Sequence, residues 1–246
     1  MFTYQILIEY DGTNFVGWQK QDNGNSIQEV IEKILKKILK QKVLLYGSGR
    51  TDAGVHAIEQ SAHFQTNTNI KDRYKFINSI NYFLNKKKIS ILSIKKRGID
   101  FHARFSAKKR TYEYIIINRT APLSLNYKRA WHVKKKLSIA LMKRGAKILK
   151  KNKDFSIFRS SNCGAKTAIR TLEKAKIIKV RDRITLVFSS KSFLKNQVRS
   201  MVGCLKYLGE KKWNLLEFNN AIKSKLRKNC APPAPACGLY LSKIKY

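Results

Sequence analysis

Apolar and polar positions change period several times along the chain, and each change predicts an element. Over residues 3–10, Tyr4, Ile6, Ile8 and Tyr10 alternate with Gln5, Leu7 and Glu9, the period of two that predicts a strand. Asp11-Gly12 turns the chain. Ser26 opens a helix, with Glu29 placed to complete a capping box. Its apolar stripe is Ile27, Val30, Ile31, Ile34, Leu35, Ile38 and Leu39, with Lys33, Lys36, Lys37 and Lys40 on the opposite face. Residues 43–46 read as a short buried strand ending at Gly47, and residues 60–64 as another. Phe76, Ile77, Ile80, Phe83 and Leu84 mark a second amphipathic helix, and residues 89–96 return to a strand.

The second half repeats the theme. Tyr112, Tyr114 and Ile116 alternate in a strand, and a helix runs from Ser138 to about Lys150. Residues 175–180 and 184–190 predict a hairpin across Arg181-Asp182-Arg183. Leu194, Val198, Met201, Val202, Leu205 and Leu208 mark a helix, and residues 215–222 another. A Pro-rich break, residues 231–236, precedes a last strand over 238–244. The pattern predicts an α+β protein of two α/β halves, residues 1–104 and 105–246.

Composition narrows the class. Apolar residues make up 43% of the chain, enough for a packed core, and no apolar run approaches the ~20 residues of a membrane helix. The start, MFTYQILIEY, reads as a strand and not as a secretion signal, so the cytoplasm is the expected compartment. Fifty-two Lys and Arg face fifteen Asp and Glu, a formal net charge of +37. Self-repulsion at that level calls for a polyanion, with nucleic acid ahead of an anionic membrane surface. The abundance of Lys over Arg also fits a compositional bias of the whole chain. Four cysteines, Cys163, Cys204, Cys230 and Cys237, and four histidines complete no zinc pattern, so no metal is expected.

One segment carries candidate chemistry: Gly47-Ser48-Gly49-Arg50-Thr51-Asp52-Ala53-Gly54-Val55-His56-Ala57, with three glycines within eight residues. It is neither a Walker A loop nor G-x-G-x-x-G. It offers a carboxylate on a tight loop with a guanidinium two residues earlier, and a carboxylate held dry and oriented serves as nucleophile or base. The bland alternative is an aspartate that caps a turn.

This segment resembles the signature of the tRNA pseudouridine synthase A family. Further blocks resemble that family in order: Asp11 to Gln19, Ser26-Ile27-Gln28, Asp100 to Ala107 with Lys109 to Tyr114, Asp154 to Arg159, Val198 to Gly203, and Gly238 to Leu241. The resemblance implies that Asp52 is the catalytic aspartate. It implies that Arg50 pairs with Asp52 or helps flip the nucleotide, that Tyr112 stacks on the target base, that Arg199 lies near the aspartate, and that Leu241 lines the base pocket. The implied fold is two similar α/β halves with a joined, mostly antiparallel sheet and a catalytic cleft between them. The implied activity is isomerisation of uridine to pseudouridine in the anticodon stem-loop of tRNA, around positions 38 to 40, by a homodimer without metal or organic cofactor. Two departures stand out: Lys195-Asn196 where many members have His-His, and Ala168 where a Pro is frequent. Helix lysines and the run Lys108-Lys109-Arg110 are candidate phosphate contacts.

Two other readings compete: a pseudouridine synthase with a different RNA target, and a non-catalytic RNA-binding protein. A zinc deaminase needs H-x-E and P-C-x-x-C, which are absent, and a methyltransferase would want a Gly-rich loop after its first strand, which Asp11-Gly12-Thr13 is not.

Overall fold

The computed structural model describes residues 1–22, 24–161 and 163–246. In chain order its elements are β1 (Phe2–Tyr10), α1 (Ile27–Leu39), β2 (Leu45–Gly47), β3 (His56–Thr66), α2 (Arg73–Leu84), β4 (Ile89–Arg97), β5 (Lys109–Asn118), β6 (Trp131–Val133), α3 (Ile139–Lys151), β7 (Leu172–Val180), β8 (Arg183–Ser190), α4 (Gln197–Gly209), α5 (Leu215–Ser224) and β9 (Leu239–Lys245). They form two compact α/β units, residues 1–108 with 240–246, and residues 109–239. A division by sequence order at 104/105 leaves the last strand with the second half. Its ladder instead runs along β3, with His56 opposite Tyr240 and Ala57 opposite Leu241.

In the first unit the strand order is β4-β1-β3-β9, with β2 also on β3; only the β3–β9 pairing is parallel. The alternation read in β1 is real. Tyr4, Ile6, Ile8 and Tyr10 are all buried on one face. The other face holds a polar lattice: Gln5 Nε2 donates to Ser61 Oγ at 2.8 Å, and Arg97 Nε donates to Gln5 Oε1 at 2.8 Å. In α1, Ile27, Ile31 and Leu35 are fully buried, each contributing about 1.5–3 kcal/mol. Ser26 Oγ caps the helix by accepting from Glu29 N at 3.2 Å. The expected capping box is only half made, because the Glu29 carboxylate pairs with Lys33 at 3.0 Å.

In the second unit β8 lies between β5 and β7, all antiparallel, and the short β6 runs parallel to β5. The hairpin turns at Arg181-Asp182 as the spacing predicts. The fourth helix starts at Gln197 and not at Leu194. Asn196 takes a left-handed conformation, φ 63°, and Gln197 Oε1 accepts from Leu194 N at 2.8 Å. Among the described residues, no helix is long and apolar enough to cross a membrane.

Candidate active site

The glycine-rich segment leaves β2, turns at Asp52 and enters β3 at His56. Its composition alone would make it loose; backbone and buried side-chain bonds fix it. Ser48 is buried, its N donates to Ser61 O at 2.7 Å and its Oγ to Gln60 Oε1 at 2.7 Å. Gln60 Nε2 donates in turn to Gly49 O at 2.8 Å. Thr51 Oγ1 shares a hydrogen bond with the Tyr10 hydroxyl at 2.8 Å, and Thr51 O accepts from Trp18 N at 3.1 Å. Asp52 then forms an isolated antiparallel bridge with Gly17, and its carbonyl accepts from Val55 N at 3.1 Å.

Two glycines outside the loop permit this docking. Gly17 has φ +117°, and a Cβ there would stand 2.5 Å from Thr51 O. A Cβ at Gly12 would stand 2.0 Å from Val55 O. The turn at Asp11-Gly12 is held by His56, whose Nδ1 lies 3.1 Å from Gly12 N and 3.2 Å from Asp11 Oδ1. That nitrogen secures the turn either way, as acceptor from Gly12 or, when protonated, as donor to the carboxylate. The His56 ring stacks on Tyr240 at 4.7 Å. His56 is therefore a buried structural residue, 2% exposed.

The first unit thus holds three of the residues singled out from the sequence. Arg50 is exposed and Asp52 half-buried on one loop, while Leu241 is fully buried opposite Ala57, five residues beyond Asp52. Among the described residues Arg50 makes no hydrogen bond or ion pair, so its guanidinium is available to an incoming anion.

The second unit holds the other two. Tyr112 lies in β5, 9% exposed, with its ring edge against Phe193 at 5.2 Å. Arg199 lies in the first turn of α4. Its Nε donates to Ala234 O at 2.7 Å, its Nη1 to Asn196 Oδ1 at 3.1 Å, and its own carbonyl accepts from Ala234 N. Asn196, one of the two departures from the family pattern, is thus a partner of Arg199.

The candidate phosphate contacts divide. Lys36, Lys37, Lys40 and Lys108 are exposed, whereas Lys109 is ion-paired with Glu173 and Arg110 Nη1 donates to Lys191 O at 2.6 Å. Sequence reasoning missed the part played by Gly17, Ser48 and Gln60. A glycine five residues past Gly12 was the visible signal for the first. The buried polar pair gave none.

The family model for tRNA pseudouridine synthase matches residues 6–106 and 146–246. A tRNA pseudouridine synthase A of Pelagibacter ubique (strain HTCC1062) is 58% identical over 246 residues, all of both chains. One of Ehrlichia chaffeensis (strain ATCC CRL-10679 / Arkansas) is 46% identical over 244 residues, 99% of each chain. One of Sinorhizobium medicae (strain WSM419) is 42% identical over 245 residues, 99% of each chain.

Proposed function

The chain belongs to the tRNA pseudouridine synthase family, and from that premise we propose that it isomerises uridine to pseudouridine in the anticodon stem-loop of tRNA, around positions 38 to 40. Asp52 is the catalytic carboxylate in this reading. Arg50 and Arg199 bind the substrate, Tyr112 stacks on the target base, and Leu241 lines the pocket that receives it. The active species is a cytoplasmic homodimer.

The observation that carries the proposal is the mounting of Asp52. Its backbone is tied to Gly17 and Val55, and the residue is half-buried, two positions after the exposed Arg50 on the same loop. Positioning of that kind is worth several kcal/mol in a reaction whose partners would otherwise tumble. The reaction exchanges a C1′–N1 bond for a C1′–C5 bond. The proton on C5 leaves and N1 gains one, so no electron enters or leaves and nothing departs from the RNA. A carboxylate suits both halves of this, as a nucleophile towards carbon and as a base towards a proton. A paired uridine must first leave its stack, at a few kcal/mol. An aromatic face at Tyr112 and cations at Arg50 and Arg199 offset that cost.

The test uses unmodified tRNA transcript with wild type and Asp52→Asn side by side, and maps pseudouridine at nucleotide resolution. Wild type should modify the anticodon arm, and Asp52→Asn should bind the transcript without reacting. Turnover by Asp52→Asn would remove the aspartate from the mechanism. Modification elsewhere in the RNA would move the target.

A further inference from the structure

The block Asp100 to Ala107 has no part in the chemistry above, yet it builds an unusual surface. It forms a tight turn after β4, held by hydrogen bonds within the turn and to His63 and Tyr246. His102 N donates to Ser106 Oγ at 3.1 Å and Ser106 N returns to His102 O at 2.9 Å. His102 Nδ1 accepts from Arg104 N at 3.1 Å, and His63 Nδ1 accepts from Ala103 N at 3.1 Å. The Tyr246 hydroxyl donates to Ala103 O at 2.9 Å. The turn is therefore rigid, and it holds the Phe105 ring out with 76% of the residue exposed.

Phe105 does not stand alone. Its ring lies 4.4 Å from that of His102, which meets His63 edge-on at 4.7 Å, and His63 is stacked by Tyr46 at 5.2 Å. Four rings from three separate segments form one ladder whose two ends, Phe105 and Tyr46, are open to solvent; Tyr46 is 46% exposed. Tyr46 belongs to β2, the strand that runs directly into the loop of Arg50 and Asp52. Arg104 lies over the Phe105 ring at 5.6 Å.

We infer that Phe105 and Tyr46 form a stacking platform for an unpaired base of the RNA, beside the loop that carries Asp52. The inference rests on the tRNA reading above and adds a subsite to it. A flat aromatic face accepts any base without hydrogen-bond readout, and flanking cations neutralise the phosphates on either side. Charge decides the occupant. A second copy of a chain with net charge +37 would bring its own cations to a patch that already holds Arg104 over the Phe105 ring, whereas a polyanion is attracted to it. Rigidity adds to this, because the rings are ordered before the RNA arrives and lose little entropy on binding.

The experiment compares wild type, Phe105→Ala, Phe105→Tyr and Tyr46→Ala, with Leu125→Ala as a comparator that removes an exposed apolar side chain (93% exposed) in the other unit. Each is assayed for tRNA affinity by filter binding, for KM and kcat, for melting temperature, and for size by sedimentation. Wild-type pseudouridine formation is measured first; its absence would sink the parent reading. Given turnover, Phe105→Ala should weaken tRNA binding and raise KM by roughly five- to a hundredfold, with a smaller change in kcat. Phe105→Tyr should restore binding, and Leu125→Ala should match wild type. The inference is overturned if Phe105→Ala binds tRNA as wild type does. It is also overturned if Leu125→Ala loses as much, or if Phe105→Ala changes the oligomeric state in place of RNA affinity.

Discussion

Replacing Gly17 by Ala should act on catalysis through the loop it touches. The added methyl would lie 2.5 Å from Thr51 O, about 0.9 Å inside an ordinary contact of 3.4 Å. The atom it meets is backbone, so no rotamer change relieves the clash. Gly17 has little freedom to move away, because its carbonyl accepts from Ile27 N at 3.1 Å and Trp18 N donates to Thr51 O. Those bonds tie the residue to the start of α1 and to the loop itself. Either the loop shifts by most of an ångström, or φ leaves +117° and the Gly17–Asp52 bridge opens. A misplacement of about 1 Å costs roughly 10²-fold in rate. The backbone strain costs about 1–3 kcal/mol of stability. For a chain of this size that lowers the melting temperature by a few to about 10 °C, leaving the variant folded at room temperature. Urea melts and single-turnover pseudouridine formation measure the two effects separately. Gly98→Ala is the control, since a Cβ there meets nothing within 4 Å. A folded Gly17→Ala protein with a rate within about threefold of wild type would refute the claim that this contact positions Asp52.

Two further predictions concern conditions. Burial, with His102 as a smaller cause, lowers the pKa of His63 from 6.5 to about 4. Between those values the unfolded chain binds a proton that the folded chain refuses, so stability is fully present above pH 6.5 and falls as the pH drops towards 4. At 1.36 kcal/mol per pH unit the loss approaches about 3–4 kcal/mol at most. Urea melts at pH 7 and pH 4.5 should show it, and His63→Gln should remove most of the difference between them. Affinity for tRNA should fall steeply with salt as counterions are released, by orders of magnitude between about 50 and 200 mM if six or more phosphates are neutralised; a flat response would remove the basic surface from substrate binding.

Periodicity located the elements because burial is a local signal. The stripe of α1 and the alternation of β1 needed nothing beyond their own residues; β1 buries all four residues named, and α1 buries Ile27, Ile31 and Leu35 while Val30, Ile34, Ile38 and Leu39 flank them half-buried. The partner of β9 was another matter. A strand reads as a strand whichever sheet it joins, so its parallel pairing with β3 is a fact of long-range geometry. Gly17 shows the same gap at the site. Its place in the chain was visible, but the sign of its φ is set by Thr51 and Asp52, thirty-four and thirty-five residues later. Charge shows a related gap. Lys109 and Arg110 read as candidate phosphate contacts, and the fold also gives Lys109 an ion pair with Glu173 and Arg110 a bond to Lys191 O. Composition counts cations without showing which have partners within the protein. The five proposed site residues came from ordered motif blocks rather than from pattern, and the loop geometry gives Arg50 and Asp52 a physical setting that the pattern alone lacked.

A loop with three glycines in eight residues has a high entropy when unfolded and no side-chain core of its own. Its order is supplied from outside, by Tyr10, Gly12, Gly17 and Trp18 on one side and by Gln60 and Ser61 on the other. The segment 10–18 therefore holds the loop of the proposed catalytic aspartate in place, although none of it is assigned to touch the base. Substitutions there should lower kcat by more than their cost in stability accounts for, while substitutions among the exposed lysines should move affinity and leave the rate of the bound complex alone. That division follows from where the free energy resides. Positioning depends on a few short backbone contacts, each of which can be broken singly. Attraction to RNA is spread over many screened charges, no one of which is decisive.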